Sequence, residues 1–119
     1  MSQTQTLGAR GEQIAAAYLR RHGYQILKTN YRVREGEIDI IAQIDAAIIF
    51  VEVKTRTNKS FGEPEDAVGR YKLARIFAAA MHYLHACRPG HDWQIDVISI
   101  MADPVAGRAQ IRHLKNVGV

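Results

Sequence analysis

The run Ile48-Ile49-Phe50-Val51-Glu52-Val53-Lys54 decides how this chain folds. It is the most strongly β-branched stretch in the sequence, and such side chains fit a pleated surface, so it predicts a central strand buried on both faces. Its two charges are the anomaly. Side chains two apart on a strand point to one face, so Glu52 and Lys54 project together from an otherwise apolar run.

Upstream, Asp45-Ala46 turns the chain back from a second strand, Glu37-Ile38-Asp39-Ile40-Ile41-Ala42, which itself follows a turn at Glu35-Gly36. Tyr24 to Val33 alternates loosely and predicts a first strand. Before it, Leu7, Gly11, Ile14, Ala15 and Tyr18 recur at helical spacing, predicting an amphipathic helix from Thr6 to His22 that stops at Gly23. Downstream, Thr55 to Pro64 is polar, holds Gly62 and Pro64, and reads as a loop.

From Glu65 to Cys87 the spacing predicts a long helix, with Leu73, Ile76, Phe77, Ala80, Leu84 and Cys87 along one face and Arg75 and His82 on the other. Arg88-Pro89-Gly90 ends it. Trp93 to Ile100 predicts a strand, Asp103 to Gly107 a turn, and Gln110 to Leu114 a short last strand. The order helix, three strands, helix, two strands implies an α/β fold with a mixed five-stranded sheet flanked by helices, and 119 residues suit one domain spanning residues 1–119.

With 47% hydrophobic and 24% charged residues the chain can bury a real core, which excludes a disordered segment. Sixteen basic against 12 acidic residues favour a polyanionic partner, although a balance of +4 is equally served by solubility. Cys87 is the lone cysteine, so a disulfide framework and a cysteine-rich zinc site are excluded and a reducing compartment is implied. The start, MSQTQTLGARGEQIAAAYL, has no basic stretch followed by an apolar signal core, and no window matches a membrane span. The expected address is therefore the cytoplasm, away from membranes.

An isolated E-x-K on a strand reads first as a structural ion pair. Here the period of two also places Glu37 and Asp39 on one face of the preceding strand, and an antiparallel hairpin brings Asp39 opposite Glu52. Two adjacent carboxylates repel until a cation stands between them. Mg²⁺ (or Mn²⁺) suits hard oxygen donors and is commonly held by one or two carboxylates and a substrate phosphate, which makes Lys54 a contact for water and phosphate.

The segments GEIDIIA (Gly36 to Ala42), FVEVKTR (Phe50 to Arg56) and FGEPEDAV (Phe61 to Val68), with flanking GARGEQIAAAYL, GYQIL, IDVISI and IRHL, resemble the small bacterial proteins of the uncharacterised UPF0102 or YraN-like family. That resemblance covers nearly the whole chain. Those proteins are similar to archaeal Holliday-junction resolvases and, more distantly, to PD-(D/E)xK restriction endonucleases. The resemblance implies a restriction-endonuclease-like core and a Mg²⁺-dependent, structure-selective nuclease acting on DNA rather than RNA, in recombination or repair.

Carried over by position, Asp39 fills the first carboxylate, Glu52 the second and Lys54 the lysine, while Glu12 matches a glutamate on the first helix of resolvase-like members. Ile38 stands where relatives of the wider superfamily often have proline, and Asp45-Ala46-Ala47 where a glycine turn is common. Asp39, Glu52 and the carbonyl of Val53 are the expected metal ligands, with Glu37 as an added candidate. Arg32, Arg34, Arg56 and Lys59 flank the strands and are expected to grip phosphates; Lys72 and Arg75 are weaker candidates. Resolvase relatives act as dimers, so a homodimer is an expectation from the resemblance.

His82 and His85 read as solvated, Cys87 as core, and Trp93, Tyr71 and Tyr83 as packing rather than base-stacking groups. Two other functions fit the same residues. One is a binding module that grips branched nucleic acid without cutting it; the other is an interaction protein, which requires an exposed apolar patch.

Overall fold

The β-branched run forms the spine of the sheet, with Ile48, Ile49, Phe50 and Val51 all at 2% exposure or less. A computed structural model of the protein describes residues 7–57, 69–103 and 105–118. Its elements are α1 (Leu7–Arg21), β1 (Gln25–Val33), β2 (Gly36–Ile44), β3 (Ala47–Thr57), α2 (Arg70–Cys87), β4 (Asp92–Asp103) and β5 (Arg108–Leu114). The elements follow the expected order of helix, three strands, helix and two strands, and the strands lie side by side as β1-β2-β3-β4-β5. All neighbours are antiparallel except β3 and β4, which run parallel over Ala47↔Asp92 to Thr57↔Ala102. A parallel pair needs a crossover, and α2 supplies it.

Strand alternation divides the core between two faces. Ala15, Ala16 and Leu19 of α1 cover Ile40, Ala42, Ile49, Val51, Ile98 and Ile100. On the other face Ile76, Ala79, Ala80, Tyr83 and Leu84 of α2 cover Ile38, Ile41, Ile48, Phe50 and Ile95. This α2 stripe is rotated from the predicted one: Ala79 and Tyr83 turn inward, Phe77 is 47% exposed, and Cys87 is exposed rather than core. The cause is the pair Ala79-Ala80, which lets the helix settle closely on β2, while Cys87 ends the helix beyond its last buried residue, Leu84. Leu7, expected on the apolar face of α1, is likewise exposed at the helix start.

The predicted loop from Thr55 begins later, because Thr55, Arg56 and Thr57 pair with Ile100, Met101 and Ala102 of β4 and keep β3 extended. Residues 58–64 of that loop, and the expected helix start at Glu65, lie outside the described residues. Among the described residues no helix is long and apolar enough to cross a membrane.

A buried polar chain fastens the far side of the sheet. Asp96, fully buried, accepts from His113 Nε2 at 2.7 Å, from Gln94 Nε2 at 2.9 Å and from the Asn116 N–H at 3.0 Å. His113 Nδ1 meets the Tyr18 hydroxyl of α1 at 3.1 Å. A buried carboxylate is tolerated when its lone pairs are filled in this way. The chain thus ties α1, β4, β5 and the C-terminal segment together.

Two glycines mark backbone contacts that a side chain would block. A Cβ on Gly36 would overlap the Arg75 carbonyl oxygen of α2, and one on Gly11 would overlap Thr55 Oγ1 of β3. Gly36→Ala should therefore force α2 off β2 and destabilise the protein by about 1–3 kcal/mol. Gly8→Ala, with nothing within 4 Å of the new methyl, should be neutral or stabilising by up to about 1 kcal/mol. Urea denaturation of the two variants beside wild type checks the contrast.

Candidate active site

β2 and β3 pair from Ile44↔Ala47 as far as Ile40↔Val51, and the ladder stops there. At the next position the Val53 N–H donates to Asp39 Oδ2 at 2.8 Å. The Asp39 side chain thereby replaces a backbone partner and is fixed in the fork where the two strands part.

Glu52 lies beside it, with a side chain only 3% exposed, and Lys54, two residues on, places Nζ 3.4 Å from Glu52 Oε2. Lys72, in the first turn of α2, places its Nζ 2.7 Å from the same oxygen. Burying an unpaired carboxylate costs several kcal/mol, so the two ammonium groups are what make the position tenable. Lys72 was the weaker candidate in the sequence because its partner lies 20 positions away across the crossover, and no local pattern reports that distance.

The electrostatics follow from this crowding. Burial, then the neighbouring Glu52 charge, with a smaller push from Glu12, raises the Asp39 carboxyl to about 7, although the Val53 N–H works the other way. Burial and the adjacent Lys72 lower Lys54 against the pull of Glu52. For Lys72 burial also acts downward, but its hydrogen bond to Glu52 prevails and the net direction is up.

Glu12 reaches this neighbourhood because Gly11 beside it lies against Thr55, bringing the start of α1 onto the end of β3. Glu37 does not join the carboxylate pair. It is exposed and pairs at 3.7 Å with Arg32, its register partner on β1. Glu37 does share with Lys72, Tyr71 and Arg75 the wall of a small cleft of about 170 Å³. Arg34 is exposed in the β1–β2 turn and Arg56 is half-buried on β3, whereas Lys59 lies outside the described residues.

Among the described residues no cluster of three His, Cys, Asp or Glu donors is assembled. The oxygen donors brought together are therefore those of Asp39 and Glu52, with the Val53 backbone between β2 and β4. His82 is exposed but receives the Tyr31 hydroxyl at 2.7 Å, and His85 is exposed, so neither approaches this site.

Residues 11–100 match the family model described as "Uncharacterised protein family UPF0102". The chain belongs to the UPF0102 family. A UPF0102 protein of Alkaliphilus oremlandii is 43% identical over 111 residues, covering 92% of this chain and 95% of its own. One from Chlorobium phaeobacteroides is 50% identical over 96 residues, covering 80% and 76%, and one from Geobacter metallireducens 43% over 117, covering 93% and 90%. Each name states membership of UPF0102 and no activity. The matched span of the family model contains Glu12, Asp39, Glu52, Lys54 and Lys72.

Folded Asp39 keeps its proton up to about 7, while the unfolded group titrates near 3.8. Between those values the folded state binds more protons, so the stability of the metal-free protein should fall as pH rises through that window and level off above it. Asp39→Asn should remove that slope and melt at a higher temperature than wild type at pH 8. Thermal melts in EDTA from pH 4 to pH 8 measure both.

Proposed function

We propose that this UPF0102 protein is a divalent-metal-dependent nuclease that hydrolyses phosphodiester bonds in DNA, selecting its substrate by structure rather than by sequence. The observation that carries this reading is the convergence of Asp39, Glu52, Lys54 and Lys72 at the fork between β2 and β3. The resemblance to PD-(D/E)xK enzymes assigns the same first three residues, and the α/β fold with its mixed sheet is compatible with that relationship. Fold likeness alone would not carry an activity.

The donor set fits Mg²⁺ or Mn²⁺. Asp39 and Glu52 offer hard oxygens, and the raised Asp39 carboxyl reflects a pair that a cation would relieve. Asp39, Glu52 and the Val53 carbonyl would hold the ion, with Glu12 at the rim; Glu37, paired with Arg32, is left out of the set. Such an ion polarises the phosphodiester and stabilises charge developing on its oxygens.

The rest falls to the protein's own side chains. Glu52 positions Lys54 Nζ, which orients the attacking water. Lys72 Nζ holds Glu52 in place and presents positive charge to a phosphate oxygen as the P–O bond breaks. Arg32, Arg34, Arg56 and Lys59 are assigned to flanking phosphates, a sequence-independent grip that weakens with salt. A cytoplasmic protein and a homodimer on a two-fold junction suit this role.

One observation favours a second reading. Lys54 and Lys72 already compensate Glu52 without a metal, which suits a module that binds nucleic acid and does not cut it. Cleavage of labelled linear, nicked, flapped and four-way-junction DNA in Mg²⁺, Mn²⁺ or EDTA separates the two. A nuclease should cut in metal alone, and Asp39→Ala or Lys54→Ala should lower the rate by about 100-fold or more. Binding that is indifferent to EDTA, with no product from any substrate, would reject the nuclease and leave the binding module.

Lys72→Ala separates Lys72 from the lysine of the E-x-K pattern. It should slow cleavage and also lower the melting temperature, because Glu52 loses its shorter ion pair in a buried setting. Lys72→Arg should recover much of the stability. Equal melting temperatures for wild type and Lys72→Ala would show that Lys54 alone compensates Glu52.

A further inference from the structure

A second concavity, of about 610 Å³, opens on the other side of the first turn of α2. Its size lies within the range of about 300–1,000 Å³ that holds small ligands. Two aromatic rings flank it: Phe77 is 47% exposed and Trp93 is 37% exposed, with centroids 5.7 Å apart and planes at 59°. Trp93 is steadied from within by an edge contact to Phe50 at 6.2 Å, so its outer surface is held in place before anything binds. Both rings were expected to pack; instead they leave apolar surface at the rim.

The remaining walls fit one kind of occupant. Leu73 and Val117 form an apolar floor, Asn116 supplies a polar edge, and the only formal charge among the described lining residues is the cation Arg70. A flat ring laid against this exposed aromatic surface, with an anion beside Arg70 and the Asn116 amide at its edge, has the chemistry of a nucleotide. Arg70 and Lys72 belong to the same helical turn, so the pocket and the Glu52 site lie about one helix diameter, roughly 10–12 Å, apart.

We propose that this concavity receives one unpaired nucleotide, with its base against Trp93 and Phe77 and its phosphate on Arg70. This rests on the reading of the protein as one that acts on nucleic acid. It narrows the substrate class to DNA with a displaced, gapped or branched nucleotide close to the scissile bond. A base inside an intact duplex is already stacked and cannot enter without being extruded, which costs a few kcal/mol.

Trp93 is the sole tryptophan, so its fluorescence reports this pocket alone. In EDTA, a short single-stranded oligonucleotide should quench the emission saturably, while the same strand with an abasic centre, or annealed as a blunt duplex, should quench weakly. Phe77→Ala should weaken binding of the single strand by about 10-fold, the scale of losing one stacking partner. Arg70→Ala should weaken binding and flatten its salt dependence.

Anisotropy of a labelled strand, read in parallel, keeps the two readings distinct. If the strand binds with Trp93 emission unchanged and Phe77→Ala without effect, or if duplex quenches as well as single strand, the pocket assignment is wrong while the nucleic-acid function stands. If no nucleic acid binds at all, both fall.

Discussion

A carboxylate held at 2% exposure sets the terms for much of this molecule. Glu52 sits where β3 passes from a run of isoleucine, phenylalanine and valine into its polar end, and among the described residues Lys54 and Lys72 reach the same oxygen and compensate its charge. Lys54 comes with the strand itself. Lys72 comes from α2, so satisfying Glu52 also fixes how the first turn of the helix meets the sheet. The close approach of Gly36 to the Arg75 carbonyl fixes the same contact from the strand side. Packing and electrostatics therefore specify one docking geometry by independent routes, a consistency expected of a sequence that selects a single structure.

The fork beside it is a second constraint of the same kind. A regular ladder would pair Val53 with a backbone carbonyl of β2; here a side chain takes that place, which leaves Asp39 with one oxygen committed and its charge disfavoured. Groups so arranged are poorly placed for stability and well placed for chemistry, and perturbed carboxyls in a cleft are a recognised mark of functional sites. On the opposite face the chain Tyr18–His113–Asp96 is a contrasting case. It is just as buried, but Asp96 is filled by three donors and needs nothing further.

Most of the architecture was legible in the sequence because it follows from periodicity. The run 48–54 could only be an interior strand, and the flanking turns fixed the order of the elements. Asp39, Glu52 and Lys54 were legible for the same reason, since a period of two and a tight turn put them side by side. What the sequence hid were consequences of cross-strand pairing and of long-range contact. Glu37 obeys the same period as Asp39, but its cross-strand neighbour on β1 is Arg32, which takes it as an ion-pair partner. Lys72, Phe77 and Trp93 depend on the rotation of α2, which small residues at Ala79 and Ala80 decide. Asp96 drew no notice because an acidic residue in a strand says nothing of the histidine on β5 that meets it.

The parallel pairing of β3 with β4 has a consequence for how the site comes into being. Its register joins residues 45 positions apart, as Ala47↔Asp92, whereas the β2–β3 hairpin closes between Ile44 and Ala47. Local contacts form at a lower entropic cost than distant ones. Asp39 and Glu52 are brought together by a tight hairpin, whereas Lys72, 20 positions from Glu52, reaches it when α2, the crossover to β4, docks on the sheet. Among the described residues, a sheet without α2 leaves Lys54 as the one ammonium beside the two crowded carboxylates, and docking of the helix supplies the second.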